Sequence, residues 1–144
     1  MFLNRTVEYA LRAMAHLTTL EPGASIRAVE LSASTSIPSH YLSKIMRRLV
    51  IAGLVSSQKG RGGGFTLKKP ASRITFQQIL AAVGFDSESG ECAFGWGRCN
   101  TAAPCLLHDS WSDLKERCDS WASDTRLSSL VKPTPDLVQL RRRR

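Results

Sequence analysis

The sequence lacks a long apolar run. No stretch approaches the roughly 18 residues that a membrane-spanning helix needs. The first residues also lack the apolar core of a signal peptide. We therefore expect a cytoplasmic protein with no membrane partner. In that compartment, clustered cysteines are more often metal ligands or reactive thiols than structural disulfides.

Catalytic motifs are also missing. The glycine-rich segment 60–64 joins two predicted strands and contains no G-x-x-x-x-G-K-[ST] pattern, which argues against a nucleotide site. Serine, histidine and aspartate occur without the spacing of a nucleophile elbow. We therefore expect that the protein is not an enzyme and has no small-molecule substrate.

Acidic residues are scarce relative to basic ones. The 144 residues contain 12 acidic and 20 basic side chains, which gives a net charge of +8. The run Arg141 to Arg144 supplies half of this charge and belongs to a segment, 132–144, that we expect to be a flexible basic tail. The remaining positive charge favours a polyanionic partner, above all nucleic acid.

Apolar residues in the first half of the chain recur at helical spacing. They predict a first helix over roughly 4–20. A second, short helix is predicted to begin at an N-cap Ser25 and to turn Val29 inward. Thr75 and Gln78 form a capping box that starts a fourth helix.

Between these helices the pattern predicts a third helix and a β-hairpin. The third helix has Pro38 in its first turn and Gly53 just after its end. Strands over 54–58 and 65–68 flank the glycine-rich turn. The predicted fold is therefore mainly α with a small β-hairpin: a winged helix-turn-helix over residues 1–83, followed by a long C-terminal dimerisation helix.

The third helix is the predicted recognition helix. Its N-terminal part is expected to reach base edges in the major groove, whereas Arg47 and Arg48 are expected on phosphate. The hairpin tip adds cations suited to the minor groove or the backbone. For the helix considered without the hairpin, the alternative is that its basic residues form a solvated surface that does not contact DNA. The predicted DNA-contacting residues are Ser39, His40, Ser43, Lys44, Arg47, Lys59 and Arg61.

Three of the four cysteines lie close together in the chain. Cys92, Cys99 and Cys105 fall within 14 residues, and His108 follows them. Residues 84–104 show no hydrophobic period and are expected to form a loop that carries a soft-metal or redox centre. Structural zinc usually has tight C-x₂₋₄-C pairs, whereas the gaps here are six and five residues. A zinc site and a metal-free thiol switch remain alternatives.

The last predicted helix carries a heptad seam within residues 105–131. A second copy of the same helix is the expected partner, which gives a two-fold homodimer. Packing against the N-terminal domain of the same chain is the alternative. Cys118 is expected to be a buried core cysteine of this seam. The seam residues are Leu107, Trp111, Leu114, Cys118, Trp121 and Thr125.

Four motifs occur together in this chain. They are V-E-Y-A-L-R-A-M, I-P-S-H-Y-L-S-K-I-M, G-L-V-S-S-Q-K-G-R-G-G-G-F-T-L and C-L-L-H-D-S-W. Together they resemble the bacterial winged-helix regulators typified by the iron–sulfur cluster regulator IscR and the nitric-oxide-sensing repressor NsrR. The resemblance runs from Met1 to about Pro133. It implies a homodimer that binds near-palindromic sites in double-stranded promoter DNA.

The resemblance also implies a 2Fe–2S or 4Fe–4S cluster. Cys92, Cys99 and Cys105 match the three ligand cysteines, and His108 matches the histidine ligand of the IscR type. The alternative fourth ligand is Glu8 of the partner subunit, because some NsrR-type members use an acid there. The chain departs from the family pattern in two places: six residues separate the first two cysteines where five are common, and a lysine stands in the wing where arginine is frequent.

The expected function is a dimeric DNA-binding regulator. The state of its iron–sulfur cluster would set DNA affinity in response to nitric oxide, redox state or iron–sulfur supply. The alternatives are a metal-free thiol-switched regulator, a zinc-stabilised regulator and, behind these, a redox or electron-transfer module.

Overall fold

The computed structural model describes residues 3–85 and 91–131. Within them, five α-helices and one antiparallel hairpin follow each other along the chain. The predicted tail at 132–144 and residues 86–90 of the cysteine loop lie outside the described residues. The elements are α1 (Arg5–Leu17), α2 (Ala28–Thr35), α3 (Ser39–Ile51), β1 (Val55–Gln58), β2 (Gly64–Leu67), α4 (Phe76–Ala82) and α5 (His108–Asp124).

The first three helices form around one hydrophobic core, as their apolar spacing predicts. The side-chain oxygen of Asn4 accepts a 3.0 Å hydrogen bond from the N–H of Val7, which caps α1. The buried side chains of α1 and α3 are Val7, Ala10, Ala13, Met14, Leu17, Leu42, Ile45, Met46 and Leu49. Helices α2 and α3 with the hairpin after them confirm the winged helix-turn-helix.

The hairpin is tied to the helices through the segment before α2. Its strands pair from Val55 with Leu67 to Gln58 with Gly64. The backbones of Ile26 and Phe65 exchange hydrogen bonds of 3.0 and 2.8 Å. These bonds fix the angle at which the wing leaves the domain.

The predicted start of α2 is wrong. The Ser25 hydroxyl donates a 2.9 Å bond to the carbonyl of Gly62 in the wing and does not cap a helix. Arg27 occupies the N-cap position, where its N–H donates to the Glu30 carboxylate at 3.1 Å. Because the N-cap lies two residues later than predicted, at Arg27, Val29 points outward and is 79% exposed.

Other helix boundaries agree more closely with the predictions. The Thr75–Gln78 capping box is confirmed by bonds of 3.2 and 3.1 Å. Gly53 follows α3 with a φ of 70°, as a C′ residue should. Pro38 is the N-cap of α3 and not part of its first turn. Helix α1 ends at Leu17, three residues before the predicted end.

The C-terminal end of α5 packs on the winged domain of the same chain. The ring of Trp121 meets the ring of Phe76 edge-on at 5.5 Å between centroids. The N–H of Leu127 donates to the carbonyl of Ile74 at 2.8 Å. Leu127 and Ala122 are buried in the common core. This junction joins the helix after the cysteine loop to the winged helix-turn-helix.

Other seam residues are not covered within one chain. Leu107 and Leu114 are 42% and 41% exposed. Cys118 is half-buried, so the expected full burial of this thiol is not found within a single chain.

None of the helices within 3–85 and 91–131 is long and apolar enough to cross a membrane.

Candidate DNA-binding surface and cysteine centre

All five predicted contact residues on α3 are exposed on the helix. The apolar stripe of α3 is buried, so the 3.6-residue period turns the polar positions outward. The hydroxyl of Ser43 donates to the carbonyl of Ser39 at 2.9 Å. The ring of His40 leans against Tyr41 with centroids 4.4 Å apart. Lys44 and Arg47 complete a polar and basic face suited to a DNA groove.

Arg48 is also exposed on α3, but it makes a hydrogen bond within the domain. Its Nη1 donates a 2.7 Å hydrogen bond to the carbonyl of Val83, at the end of α4. That carbonyl would otherwise lack a helical partner, because it lies past the last turn of α4. Arg48 therefore joins α3 to α4, and its phosphate contact stays a prediction.

The wing places two exposed cations at its tip. Lys59 and Arg61 both lie in the turn between β1 and β2. Close packing at the base of the turn requires glycine at position 64, where a Cβ atom would stand 2.5 Å from the carbonyl oxygen of Ile26. The backbone of the wing thus sits directly on the helical domain, with its charges outward.

The four predicted centre residues line one cavity of about 200 Å³. The Sγ atoms of Cys92 and Cys105 are 3.9 Å apart, and both thiols are free and half-buried. The Sγ of Cys99 lies 3.8 Å from the carbonyl oxygen of Glu91. The residues around the cavity are Cys92, Trp96, Arg98, Cys99, Asn100, Ala103, Cys105 and His108.

Short-range hydrogen bonds shape the cysteine loop. The N–H of Gly95 donates to the carbonyl of Cys92 at 2.9 Å, and the N–H of Cys92 donates to Gly97 at 2.8 Å. The backbone N–H of His108 donates to the carbonyl of Cys105 at 3.0 Å as α5 begins. Residues 105 and 108 therefore lie one turn apart at the start of a helix.

The environment of Cys92 favours its thiolate. The backbone N–H of Phe94 lowers the pKa of the Cys92 thiol, partial burial opposes this, and the thiol of Cys105 and the N–H of Trp96 add to the lowering. A thiolate is the form that attacks an oxidant or binds a soft metal.

The spacing of the two nearest thiols matches the spacing that a tetrahedral metal requires. Two thiolates 2.3 Å from one tetrahedral metal stand about 3.8 Å apart, and the Cys92–Cys105 pair is at 3.9 Å. Over residues 3–85 and 91–131, no three of the histidine, cysteine and acidic side chains converge as a complete metal-binding group. The separation of this pair is thus that of two thiolates on one tetrahedral metal, and Cys99 and His108 line the same cavity.

Glu8 lies in a different part of the chain's structure. Its carboxylate forms an ion pair with Arg12 one turn later in α1. Arg12 also donates to the carbonyl of Thr35, before the turn into α3, at 3.3 Å. Within one chain Glu8 therefore belongs to the DNA-binding half, and its role as a ligand from a partner subunit stays a prediction.

Two features of the cysteine loop were not predicted from the sequence. The indole N–H of Trp111, which was assigned only to the heptad seam, donates to the carbonyl of Glu91 at 2.9 Å. The rings of Phe94 and Trp96 stack at 4.7 Å and remain largely exposed. The spacing of three residues between His108 and Trp111 was the available signal, since it places both on one side of α5.

Comparison with known proteins places the chain among transcription regulators. Residues 3–133 match the family model Rrf2, described as an iron-dependent transcriptional regulator. The HTH-type transcriptional regulator IscR of Klebsiella pneumoniae is 33% identical over 131 residues, which cover 91% of this chain and 80% of that protein.

Solved structures show the same fold. CymR (YrzC), described as the global cysteine regulator of B. subtilis, matches with a TM-score of 0.77 at 19% identity, over 92% of this chain and 97% of that one. IscR of T. potens matches with a TM-score of 0.74 at 18% identity, over 90% and 85% of the two chains. At these identities the likeness supports the winged-helix fold and no finer property.

Proposed function

Because the chain belongs to the Rrf2 family of transcriptional regulators, we propose that it acts as a homodimer whose affinity for promoter DNA is set by an iron–sulfur cluster. Its relatives are transcription regulators and not enzymes. DNA binding accords with the exposed basic face of α3 and with the two cations of the wing.

The observation that carries the cluster proposal is the 3.9 Å separation of Cys92 and Cys105 within the cavity that Cys99 and His108 also line. Three cysteines and one weaker ligand are a donor set suited to an iron–sulfur centre. Such a cluster would supply a redox-active, nitric-oxide-reactive group to the regulator. The name IscR of a 33% identical relative agrees with this cofactor class.

The residues around the cavity provide a route to the DNA-binding half. Cys105 and His108 stand at the start of α5, the end of α5 packs on Phe76, and Leu127 just after the helix donates a hydrogen bond to Ile74 in the winged domain. A change in the position of Cys105 therefore acts on a helix that contacts the reading domain. In the proposed mechanism, the state of the centre shifts the population of dimers with correctly spaced recognition helices.

The decisive experiment is anaerobic purification followed by iron, sulfide and zinc analysis and an absorption spectrum. We expect iron and sulfide in equal amounts, and loss of the visible absorption in a Cys92→Ala variant. The affinities of the holo and apo protein for the promoter region upstream of the chain's own gene are then compared. A colourless zinc protein, or equal DNA affinity in the two states, would contradict the proposal.

A metal-free thiol switch is the second candidate, and the same 3.9 Å contact favours it. Cys92 and Cys105 would form a disulfide when a two-electron oxidant such as a peroxide accepts their two electrons and two protons. This candidate predicts that oxidation alters DNA affinity in protein that never held iron. A Cys105→Ser variant would lose that response, and a Cys118→Ser variant would retain it.

An electron-transfer module is the remaining alternative from the sequence. It predicts no specific binding to duplex DNA, whereas a regulator loses affinity steeply as salt rises and still binds in the presence of competitor DNA. A salt titration against a labelled duplex separates the two.

A further inference from the structure

We propose that Trp111 is a positioning residue that holds the cysteine loop against the start of α5 and thereby keeps Cys92 beside Cys105. The inference deepens the proposed function, since it concerns the residues of the proposed cysteine centre. It assigns Trp111 a role other than packing in a dimer seam.

Trp111 is held by two hydrogen bonds, one from its backbone and one from its indole ring. Its backbone N–H donates to the carbonyl of Leu107 at 2.8 Å, within the first turn of α5. Its indole N–H donates to the carbonyl of Glu91 at 2.9 Å, in the loop twenty residues earlier. An indole N–H is a donor only, so this bond has a fixed direction. Trp111 therefore connects the helix that follows Cys105 to the residue that precedes Cys92.

The carbonyl of Glu91, which accepts the indole bond, belongs to the turn that carries two of the cysteines. Glu91 pairs with Arg98 in an isolated antiparallel bridge, so it stands at the base of the small turn that contains Cys92. The same carbonyl oxygen of Glu91 lies 3.8 Å from the Sγ of Cys99. A carbonyl oxygen has two lone pairs and can accept from both groups. Fixing Glu91 therefore sets the positions of both Cys92 and Cys99 relative to α5.

The Trp111 bond keeps the two thiols of the pair close together. Cys92 and Cys105 come from the two parts that the Trp111 bond connects, and their sulfurs stand 3.9 Å apart. Loss of the indole donor leaves the loop free to move from α5 and lowers the effective concentration of one thiol at the other. Trp111→Phe retains an aromatic ring, removes the indole donor and makes the side chain smaller, and Trp121→Phe makes the same reduction elsewhere on α5.

The test uses the metal-free, reduced protein and the azodicarboxamide oxidant diamide. One thiolate adds to the N=N bond and forms a sulfur–nitrogen bond, and the second thiolate attacks that sulfur, so that the sulfur–nitrogen bond breaks and the nitrogen leaves. A disulfide and a hydrazine then form, and the hydrazine takes up the two electrons and two protons. The rate of the Cys92–Cys105 disulfide is measured by peptide mass mapping. We expect Trp111→Phe to slow it roughly threefold to tenfold, the range that one lost hydrogen bond produces.

Trp121→Phe is the matched control. Trp121 lies on the same helix but packs edge-on against Phe76 in the winged domain. We expect this variant to oxidise at the wild-type rate. Equal rates in the two variants, with helicity of both unchanged by circular dichroism, would overturn the proposal.

A second measurement needs no variant and so does not depend on folding of the mutant. The protein has three tryptophans and therefore three indole N–H signals in a ¹H–¹⁵N spectrum. We expect the Trp111 signal to exchange with solvent more slowly than that of Trp96, whose side chain is 77% exposed. Exchange of Trp111 as fast as that of Trp96 would overturn the proposal.

The thiol and indole measurements are made on metal-free protein, so they are independent of the cluster. If wild-type protein takes up iron and sulfide, we expect the Trp111→Phe cluster to be lost faster to a chelator than the Trp121→Phe cluster. A wild-type protein that takes up no iron would refute the proposed cofactor, while the oxidation rates would still decide the role of Trp111.

Discussion

Arg47 and Arg48 show how strongly the surroundings of neighbouring residues differ. Both are exposed basic residues of α3, but only Arg48 reaches a carbonyl of another helix, that of Val83 at 2.7 Å. A charged donor on an otherwise unpaired helix-end carbonyl stabilises the fold, whereas a free cation at the groove contributes to DNA binding.

We therefore expect opposite phenotypes for two matched substitutions. Arg48→Met should lower the free energy of unfolding by about 1 kcal/mol, a value that allows for partial solvent screening. Arg47→Met should leave stability within about 0.5 kcal/mol of wild type and reduce the salt slope of duplex binding by about one. Urea unfolding and binding at several salt concentrations check both outcomes. A larger salt effect from Arg48→Met would restore its predicted phosphate contact.

His16, in the last turn of α1, links stability to pH. Burial of its ring lowers the pKa of His16 below the ordinary value of 6.5. The unfolded chain then binds more protons than the folded one near that pH, so the free energy of unfolding rises with pH there. The stabilisation is complete above the unfolded value and is lost as pH falls through 6.5 towards the folded pKa.

We expect the urea midpoint of the wild type to fall between pH 7 and pH 5, and His16→Gln to flatten that fall. His40, which lies against Tyr41 on the exposed face of α3, provides the control variant His40→Gln. Equal pH slopes for wild type and His16→Gln would contradict the assignment.

At the scale of elements, the wing depends on a close backbone approach. Gly64 lies against Ile26, next to the paired Ile26 and Phe65 backbones, and has a φ of 156°. A side chain at this position collides with backbone atoms, which cannot rotate away as a flexible side chain could. The wing is thus held on the domain by a contact that only glycine permits.

We expect Gly64→Ala to lower the free energy of unfolding by about 2 kcal/mol and to weaken duplex binding by displacing the wing. Lys59→Ala, at the exposed tip, should weaken binding through charge alone and leave stability unchanged. Urea unfolding separates the two effects. Wild-type stability of Gly64→Ala would show that the wing base can shift at little cost.

At the scale of the whole molecule, helix α5 has two kinds of surface. Its C-terminal end is buried on the winged domain through Ala122, whereas Leu107 and Leu114 remain about 40% exposed. Apolar side chains at heptad spacing that one chain leaves uncovered are suited to a second copy of the helix. The proposed homodimer uses this surface.

We expect Leu114→Asp to convert the dimer to monomers without loss of helicity, because a buried unpaired charge at the seam is costly. Glu116 lies two residues away on another side of the helix, so the Glu116→Ala variant should remain dimeric. Sedimentation velocity at several concentrations measures both. A dimeric Leu114→Asp variant would exclude this seam as the interface, and a monomeric wild type would contradict the homodimer.

Much of the fold could be predicted from periodicity and capping signals. The apolar stripes of α1 and α3 and the Thr75 capping box are local patterns, so they were predicted within a few residues. The start of α2 was predicted wrongly because the Ser25 hydroxyl bonds to Gly62, which is 37 residues away. A local signal cannot reveal which distant partner competes for a hydroxyl.

The chemistry available to the protein can be read from its amino acids: a basic helix-turn-helix, a glycine-dependent wing and three thiols beside a histidine. The tertiary structure alone decided which groups meet. It brings Cys92 to 3.9 Å from Cys105, directs Arg48 to Val83 and places the Trp111 indole on Glu91. Periodicity specifies the face of an element on which a residue lies. Contacts between elements depend on the path of the connecting loops, which no local pattern encodes.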